Sequence, residues 1–294
     1  MNNIKFFKNN FLDKHDNVYI LDNTKNYADN FGKQWKTYQK TQIDSENKFN
    51  ISKDFFYSLV FNNPDKLKNK NILEIGCGPG RFTEHILKYS KECVSIDLSN
   101  AIFYNVCKNY KNLNLIKADI NKLIPNMKFD IVFCRGMLQH TPDPFKTLIN
   151  LYKFIDNSGT VYFDIYKLPK IGYLHPKYFF WRPLISFFVK YEDCELFLEK
   201  HIDKILIFKR LIKKIFLNSN FISDIIIPVW DYDGRINLNK KQLKEWAILD
   251  TLDGIYAKYD KPKSFKKIKK FLNENNIKIQ NYNSRLNCFE THKL

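Results

Sequence analysis

NILEIGCGPGRFTEHI, residues 71–86, joins an apolar run to a helix-like run through Gly76, Gly78 and Gly80. Glycines spaced this way let a backbone come close to a ligand. A phosphate-binding loop needs Lys and then Ser or Thr after its last glycine, and Arg81–Phe82 stands there instead. The dinucleotide fingerprint GxGxxG needs a third glycine for close helix–strand packing, and Arg81 occupies that place. Pro79 presets φ at the helix entry. Glu74, in the strand just before the glycines, is ill placed for a pyrophosphate and suits a cationic or hydroxyl-rich ligand.

Outward from this loop, short apolar runs alternate with amphipathic ones. ECVSIDLS, LNLIKADI, FDIVFCRGML and GTVYFDIY read as strands, with NAIFYNVCKNY and DPFKTLINLYKFI as helices among them. Such alternation predicts βαβ units on a parallel sheet. From residue 167 the chain turns aromatic and basic and the alternation stops. There HIDKILIFKRLIKKIFL (201–217) places Ile205, Phe208, Ile212 and Ile215 on one helical face, with Arg210, Lys213 and Lys214 on the other. SFKKIKKFLNENN then opens with Ser264 as N-cap and precedes two last strands, IKIQNYNSR and LNCFETHKL. The expected organisation is an N-terminal helical extension (1–70), an α/β domain (71–166 plus 264–294) and a helical insertion after the fifth strand (167–263).

Two further acids complete the constellation. Asp97 ends the second strand in VSIDLS, where a carboxylate can take both hydroxyls of a ribose. Asp119 ends the third strand in KADI, where it can accept from an exocyclic amine such as that of adenine. Ligands of open α/β sheets sit at the carboxyl ends of strands, where both acids and the glycine loop stand. LEIGCGPGRFTEHI, SIDLS, KADI and FDIVFCRGMLQHTPDP together resemble the motifs of the class I S-adenosylmethionine-dependent methyltransferases. The resemblance implies a Rossmann-like, doubly wound, mostly parallel sheet of seven strands. It implies S-adenosylmethionine as cofactor, with S-adenosylhomocysteine as product, held by Glu74, Gly76, Cys77, Gly78 and Gly80. Asp97 and Leu98 would serve the ribose, and Asp119 and Ile120 the adenine.

Methyl transfer from a sulfonium asks the protein mainly to align acceptor, methyl and sulfur and to exclude water. A hydroxyl acceptor also needs a base, and His140 in MLQHTPDP is the candidate, on the loop after the fourth strand. On the same segment Arg135 is expected at the cofactor and Gln139 at the substrate. The tetrapeptides used on exocyclic base amines and the Pro-Cys nucleophile of cytosine methylation do not occur. The other histidines, at 15, 85, 175, 201 and 292, are too scattered to suggest a metal.

The flanks add expectations about partners. NFGKQWKTYQKTQIDS (30–45) places Gln34, Trp35, Tyr38 and Gln42 at helical spacing. It resembles the entry segment of a bacterial methyltransferase subgroup associated with sugar, surface-polysaccharide or secondary-metabolite modification, where it forms a lid over the cofactor through Gln34 and Trp35. WAILDTLDGIYAKYDKPKS (246–264) resembles that subgroup's tract before the last helix, with Asp250, Asp253, Tyr259 and Asp260 as pocket residues. The expected acceptor is an oxygen, or a nitrogen, of a small or carrier-linked metabolite such as a sugar. Forty-eight Lys and Arg against 31 Asp and Glu give a net charge of +17, which favours anionic partners. RNA methylation is therefore the first alternative, weakened because the basic residues are dispersed rather than joined to an RNA-binding motif. A non-catalytic cofactor-binding or membrane-associated protein is the second. The basic amphipathic stretch also suggests peripheral contact with an anionic membrane. No CxxC pair occurs among the six cysteines. With no signal-peptide core and no run of about 20 apolar residues, the expected location is the cytoplasm, at most peripheral to the inner membrane face.

Overall fold

The run at 71–75 forms a strand whose residues after Asn71 are all buried, and the sheet grows on both sides of it. The computed structural model describes residues 3–217 and 219–294. The N-terminal tract supplies β1 (Asn3–Ile4), β2 (Phe7–Asn10), β3 (Asp13–His15), β4 (Val18–Ile20), α1 (Asp29–Thr37), α2 (Asp44–Asn47) and α3 (Ile51–Leu59). The alternating part supplies β5 (Asn71–Ile75), α4 (Thr83–Ile86), β6 (Glu92–Asp97), β7 (Leu113–Lys117), β8 (Phe129–Cys134), α5 (Pro144–Leu151) and β9 (Ile155–Asp164). Then come α6 (Arg182–Phe188), α7 (Tyr191–Ile215), α8 (Asn220–Ile226), α9 (Lys240–Tyr256), α10 (Phe265–Glu274), β10 (Ile277–Asn283) and β11 (Cys288–Lys293). The chain divides into two units, 1–167 with 258–294 and 168–257.

The main sheet of the first unit has the order β10-β11-β9-β8-β5-β6-β7-β4-β3. The six strands from β9 to β4 are parallel, and β11, β10 and β3 are antiparallel to their neighbours. The chain runs β5, β6, β7 to one side and returns to lay β8 and β9 on the other. That reversal puts the switch point, and with it the ligand crevice of such sheets, at the carboxyl end of β5. Strands covered on both faces read as continuous apolar runs, which is why Ile72, Leu73, Val94, Ile96, Val132 and Phe133 are all buried.

Three expectations change. Among the described residues the sheet has nine strands instead of seven, because the N-terminal tract is not wholly helical: β4 pairs with β7 and β3 with β4. Asp16 and Asn17, both at positive φ (51° and 67°), form the two-residue turn whose twist suits a hairpin. The helix expected over GRFTEHILKYS is reduced to α4, and that over NAIFYNVCKNY to a 3-10 turn at Asn100–Tyr104. There the Asn105 side-chain oxygen accepts from the Cys107 N–H (2.9 Å), a local turn that competes with further helix. The third change concerns α7. It begins at Tyr191, and its buried face is Leu198, Ile202, Leu206, Lys209 and Ile212, while Phe208 and Ile215 point outward. Lys209 can be buried because its ammonium donates to the Ile227 and Val229 carbonyls and pairs with Asp224 (2.6 Å).

The chain leaves the first unit and re-enters it at adjacent points. Lys167 bridges Lys263 in parallel register, and the Lys263 N–H donates to the Tyr166 carbonyl (2.9 Å). Among the described residues no helix is long and apolar enough to cross a membrane.

Candidate cofactor and catalytic site

The glycine loop is fixed to β6 by its own backbone, Gly76 and Cys77 N–H both donating to the Ile96 carbonyl (2.8 and 3.2 Å). All three glycines have positive φ, and each meets a different neighbour. A Cβ on Gly76 would lie 2.8 Å from the Met137 Cβ, and one on Gly80 would lie 2.6 Å from the Asn105 side-chain oxygen. At Gly78 the nearest described heavy atom to a Cβ would be Trp35 Nε1, at 3.8 Å. Gly78 therefore lies within van der Waals reach of the indole of α1. Cys77 instead points into the apolar packing with Val18, Ile102 and Leu115.

Glu74 lies beneath this loop, 2% exposed, and not on its rim. Its Oε2 accepts from the hydroxyls of Thr83 (2.7 Å) and Ser95 (2.6 Å), so the carboxylate expected at the ligand braces α4 against β6. Burial pushes its pKa up to about 7 in spite of those two donors.

Asp97 stands at the end of β6. One of its oxygens accepts the Gly78 N–H (2.8 Å), and the other accepts the N–H and hydroxyl of Ser99 (2.8 and 2.7 Å). Burial outweighs these donors and holds the carboxyl above its ordinary pKa. Leu98, half-buried, follows, and its carbonyl accepts from Asn26 (3.4 Å). Asp119 is half-buried and caps the turn that begins at Ile120, accepting the Asn121 N–H (2.9 Å), while Ile120 packs into the core. Tyr27 joins the two acids. Its pKa is raised first by burial and then by the fields of Asp119 and Asp97. Its ring also meets Tyr259 edge-on at 5.6 Å.

His140, 6% exposed, lies between the rings of Phe31 (5.1 Å) and Tyr166 (5.4 Å). Its Nδ1 is 2.9 Å from the Tyr259 carbonyl oxygen. A carbonyl can only accept, so Nδ1 carries the proton and the lone pair of the neutral ring is on Nε2. Gln139 is fully buried, accepting the Tyr166 N–H with its side chain (3.3 Å) and the Lys261 N–H with its carbonyl (2.9 Å). It pins the 258–263 strap where a substrate contact was expected. Arg135 pairs with Asp164, which is fully buried and also accepts the Gly136 N–H (2.6 Å). That arginine ties the ends of β8 and β9 together. Asp260 is buried and Tyr259 half-buried, and both belong to the first unit.

The N-terminal tract is fastened over the loop at two points. Arg81 donates to the Ser52 hydroxyl (2.9 Å) and to the Gln42 side chain. His85, 3% exposed, places Nε2 3.1 Å from an Asp44 oxygen and 3.3 Å from a Glu84 oxygen. The fold thus brings one of the scattered histidines beside two carboxylates. Burial works against its charge, but hydrogen bonding to Asp44 and Glu84 prevails and raises its pKa. Asp44 also accepts the N–H groups of Ser52 (3.0 Å) and Lys53 (2.7 Å), capping α3 from a distance. In α1, Gln34 is buried, and Gly32 lets the helix approach Asn100, whose backbone nitrogen would stand 3.1 Å from a Cβ there.

Tyr27, Phe31 and Tyr166 are the site residues that sequence reasoning missed. Phe31 lies inside the segment already noted at 30–45. The other two carry no local signal.

Residues 73–163 match the family model described as methyltransferase domain. The chain is 32% identical over 104 residues to the ubiquinone biosynthesis O-methyltransferase of Coxiella burnetii, covering 33% of this chain and 44% of that protein. Against malonyl-[acyl-carrier protein] O-methyltransferase 1 of Ilyobacter polytropus it is 31% identical over 104 residues, 34% of this chain and 39% of the other. The chain thus spans less than half the length of these relatives. Among solved structures, magnesium protoporphyrin IX methyltransferase from Synechocystis PCC 6803 with bound SAH aligns over 93% of this chain and 90% of its own, at 13% identity and a TM-score of 0.44.

Proposed function

We propose, for a chain whose residues 73–163 match a methyltransferase domain, that it moves a methyl group from S-adenosylmethionine to an oxygen, or a nitrogen, of a small or carrier-linked acceptor. The observation that carries this reading is the glycine loop at the carboxyl end of β5, with the Gly78 N–H held by Asp97 at the end of β6 and the Trp35 indole 3.8 Å from where a Gly78 Cβ would stand. The residues present fit an adenosyl ligand. Asp97 is a carboxylate at a strand end and would hold the ribose hydroxyls, with Leu98 beside it. Asp119 would accept from the adenine amine, and Gln34 and Trp35 would close the open side. When bound, the cofactor supplies a methyl on a sulfonium, a donor that is already activated.

His140 is the proposed base. Its Nδ1–H is committed to the Tyr259 carbonyl, so Nε2 is the atom that takes the acceptor's proton. Phe31 and Tyr166 hold the ring from two sides and keep water off it. The resemblance of the 30–45 segment supports a sugar or surface-polysaccharide precursor as the acceptor class, and the chemistry of a deprotonated hydroxyl agrees with it.

Calorimetric titration with S-adenosylhomocysteine tests the cofactor site. Wild type is expected to bind, and Gly78→Val to lose at least tenfold in affinity, because valine is strained at φ 51° and its methyl groups would crowd the Trp35 side of the loop. Failure of wild type to bind would overturn the reading. His140→Gln should keep that affinity and lose about a hundredfold or more in turnover; unchanged turnover would remove His140 as the base.

A further inference from the structure

Of the four apolar residues that the sequence groups on one face of α7, Phe208 and Ile215 are turned outward, while Ile212 is buried. Phe208 is 58% exposed and Ile215 is 73% exposed, and Phe197 and Leu211 are exposed with them. These four positions, spaced by eleven, three and four residues, lie along one side of a 25-residue helix. Lys200 and Lys204 are exposed within the same stripe, and Lys214 stands beside it. From residue 204 to 217 the chain holds no acidic residue. Just before α7, Phe187 and Phe188 end α6 at 82% and 74% exposure. The opposite side of α7 is used already, with Leu198, Ile202, Leu206 and Ile212 packed inside the 168–257 unit.

We propose that this outward face of α7, with the Phe187–Phe188 pair, is a docking surface for an anionic lipid bilayer. The apolar side chains enter the boundary between headgroups and acyl chains, and the lysines extend from their apolar stems to the lipid phosphates. An exposed apolar stripe of this length needs a cover. Charge selects which cover. A second copy of this chain carries the same +17 and would set the same lysines face to face, so self-association through the stripe is opposed. An anionic membrane meets both properties at once: hydrocarbon for the phenylalanines and negative charge for the lysines. With no described helix fit to cross a bilayer, the contact lies on the surface. The proposal does not depend on the cofactor reading.

Vesicle sedimentation of the full chain tests it, comparing phosphatidylcholine alone with phosphatidylcholine containing about a third phosphatidylglycerol. The expected result is partition to the anionic vesicles that weakens as salt is raised. Phe208→Ser with Leu211→Ser should cut partition at least tenfold while thermal unfolding is unchanged, since both side chains are exposed. Lys200→Gln with Lys204→Gln, which keeps the apolar stripe, should reduce both partition and its salt dependence. Absence of partition to anionic vesicles would overturn the proposal. So would binding that survives the Phe208/Leu211 change. Sedimentation equilibrium that reveals a dimer lost in that variant would reassign the face to a second copy and would equally overturn it.

Discussion

Glu74, expected at the cofactor, is instead buried beneath the glycine loop between Thr83 and Ser95. Its place before the glycines is obvious in the sequence, but its two bonds to Thr83 and Ser95 depend on where β6 and α4 come to lie. Because its folded pKa of about 7 exceeds the unfolded carboxylate value, the native state binds the extra proton. Stability from this group is therefore greatest in acid and falls as pH rises through 7. Glu74→Gln keeps an acceptor for both hydroxyls and removes the titration. Chemical denaturation from pH 5 to 8 should show a flatter profile in the variant, the difference reaching about 2–3 kcal/mol at the alkaline end. A parallel profile would mean that Glu74 does not titrate there. Arg135 and Gln139, expected at cofactor and substrate, are likewise engaged by the protein itself, through Asp164 and through Tyr166 with Lys261.

Elements differ in how far they can be read ahead. The strands β5 to β9 are legible because parallel strands buried on both faces leave unbroken apolar runs. The acids that end β6 and β7 stand out against those runs. The strands β3 and β4 are three residues each, too short for any period, and only the Asp16–Asn17 turn announces them. Asn17→Val should cost about 1–2 kcal/mol in urea denaturation, because a β-branched residue resists positive φ, while Asn17→Gly should be close to neutral. The phase of α7 could not be read because the buried side of a helix is decided by its neighbours, and carbonyls from the 227–229 segment make a lysine acceptable inside. Nor could the aromatic wall of His140, gathered from residues 31 and 166, be seen before folding joined them. The tie between α2 and α4 carries its own pH signature. His85 has a raised folded pKa, so its contribution is complete below the unfolded value near 6.5 and fades as pH climbs through the folded one. His85→Gln should abolish that part of the pH dependence, and Asp44→Asn should cost about 1–3 kcal/mol by also weakening the cap on α3; equilibrium unfolding of the two variants at several pH values separates the effects.

At the scale of the whole molecule, the charge of +17 acts on folding as well as on partners. Like charges gathered in a compact chain repel, and salt screens them. Calorimetric melting should therefore occur a few degrees higher at about 0.2 M salt than at about 0.01 M, and a flat response would show that the basic residues are already locally compensated. The division into two units has another consequence. The chain departs at Lys167 and is back in register with it at Lys263, with Tyr166 and Lys263 joined through their backbones. A joint of that kind works like a socket. Because both ends of 168–257 meet at one place in the first unit, a change in the length of that stretch leaves the strands and the strap that hold His140 with their hydrogen bonds.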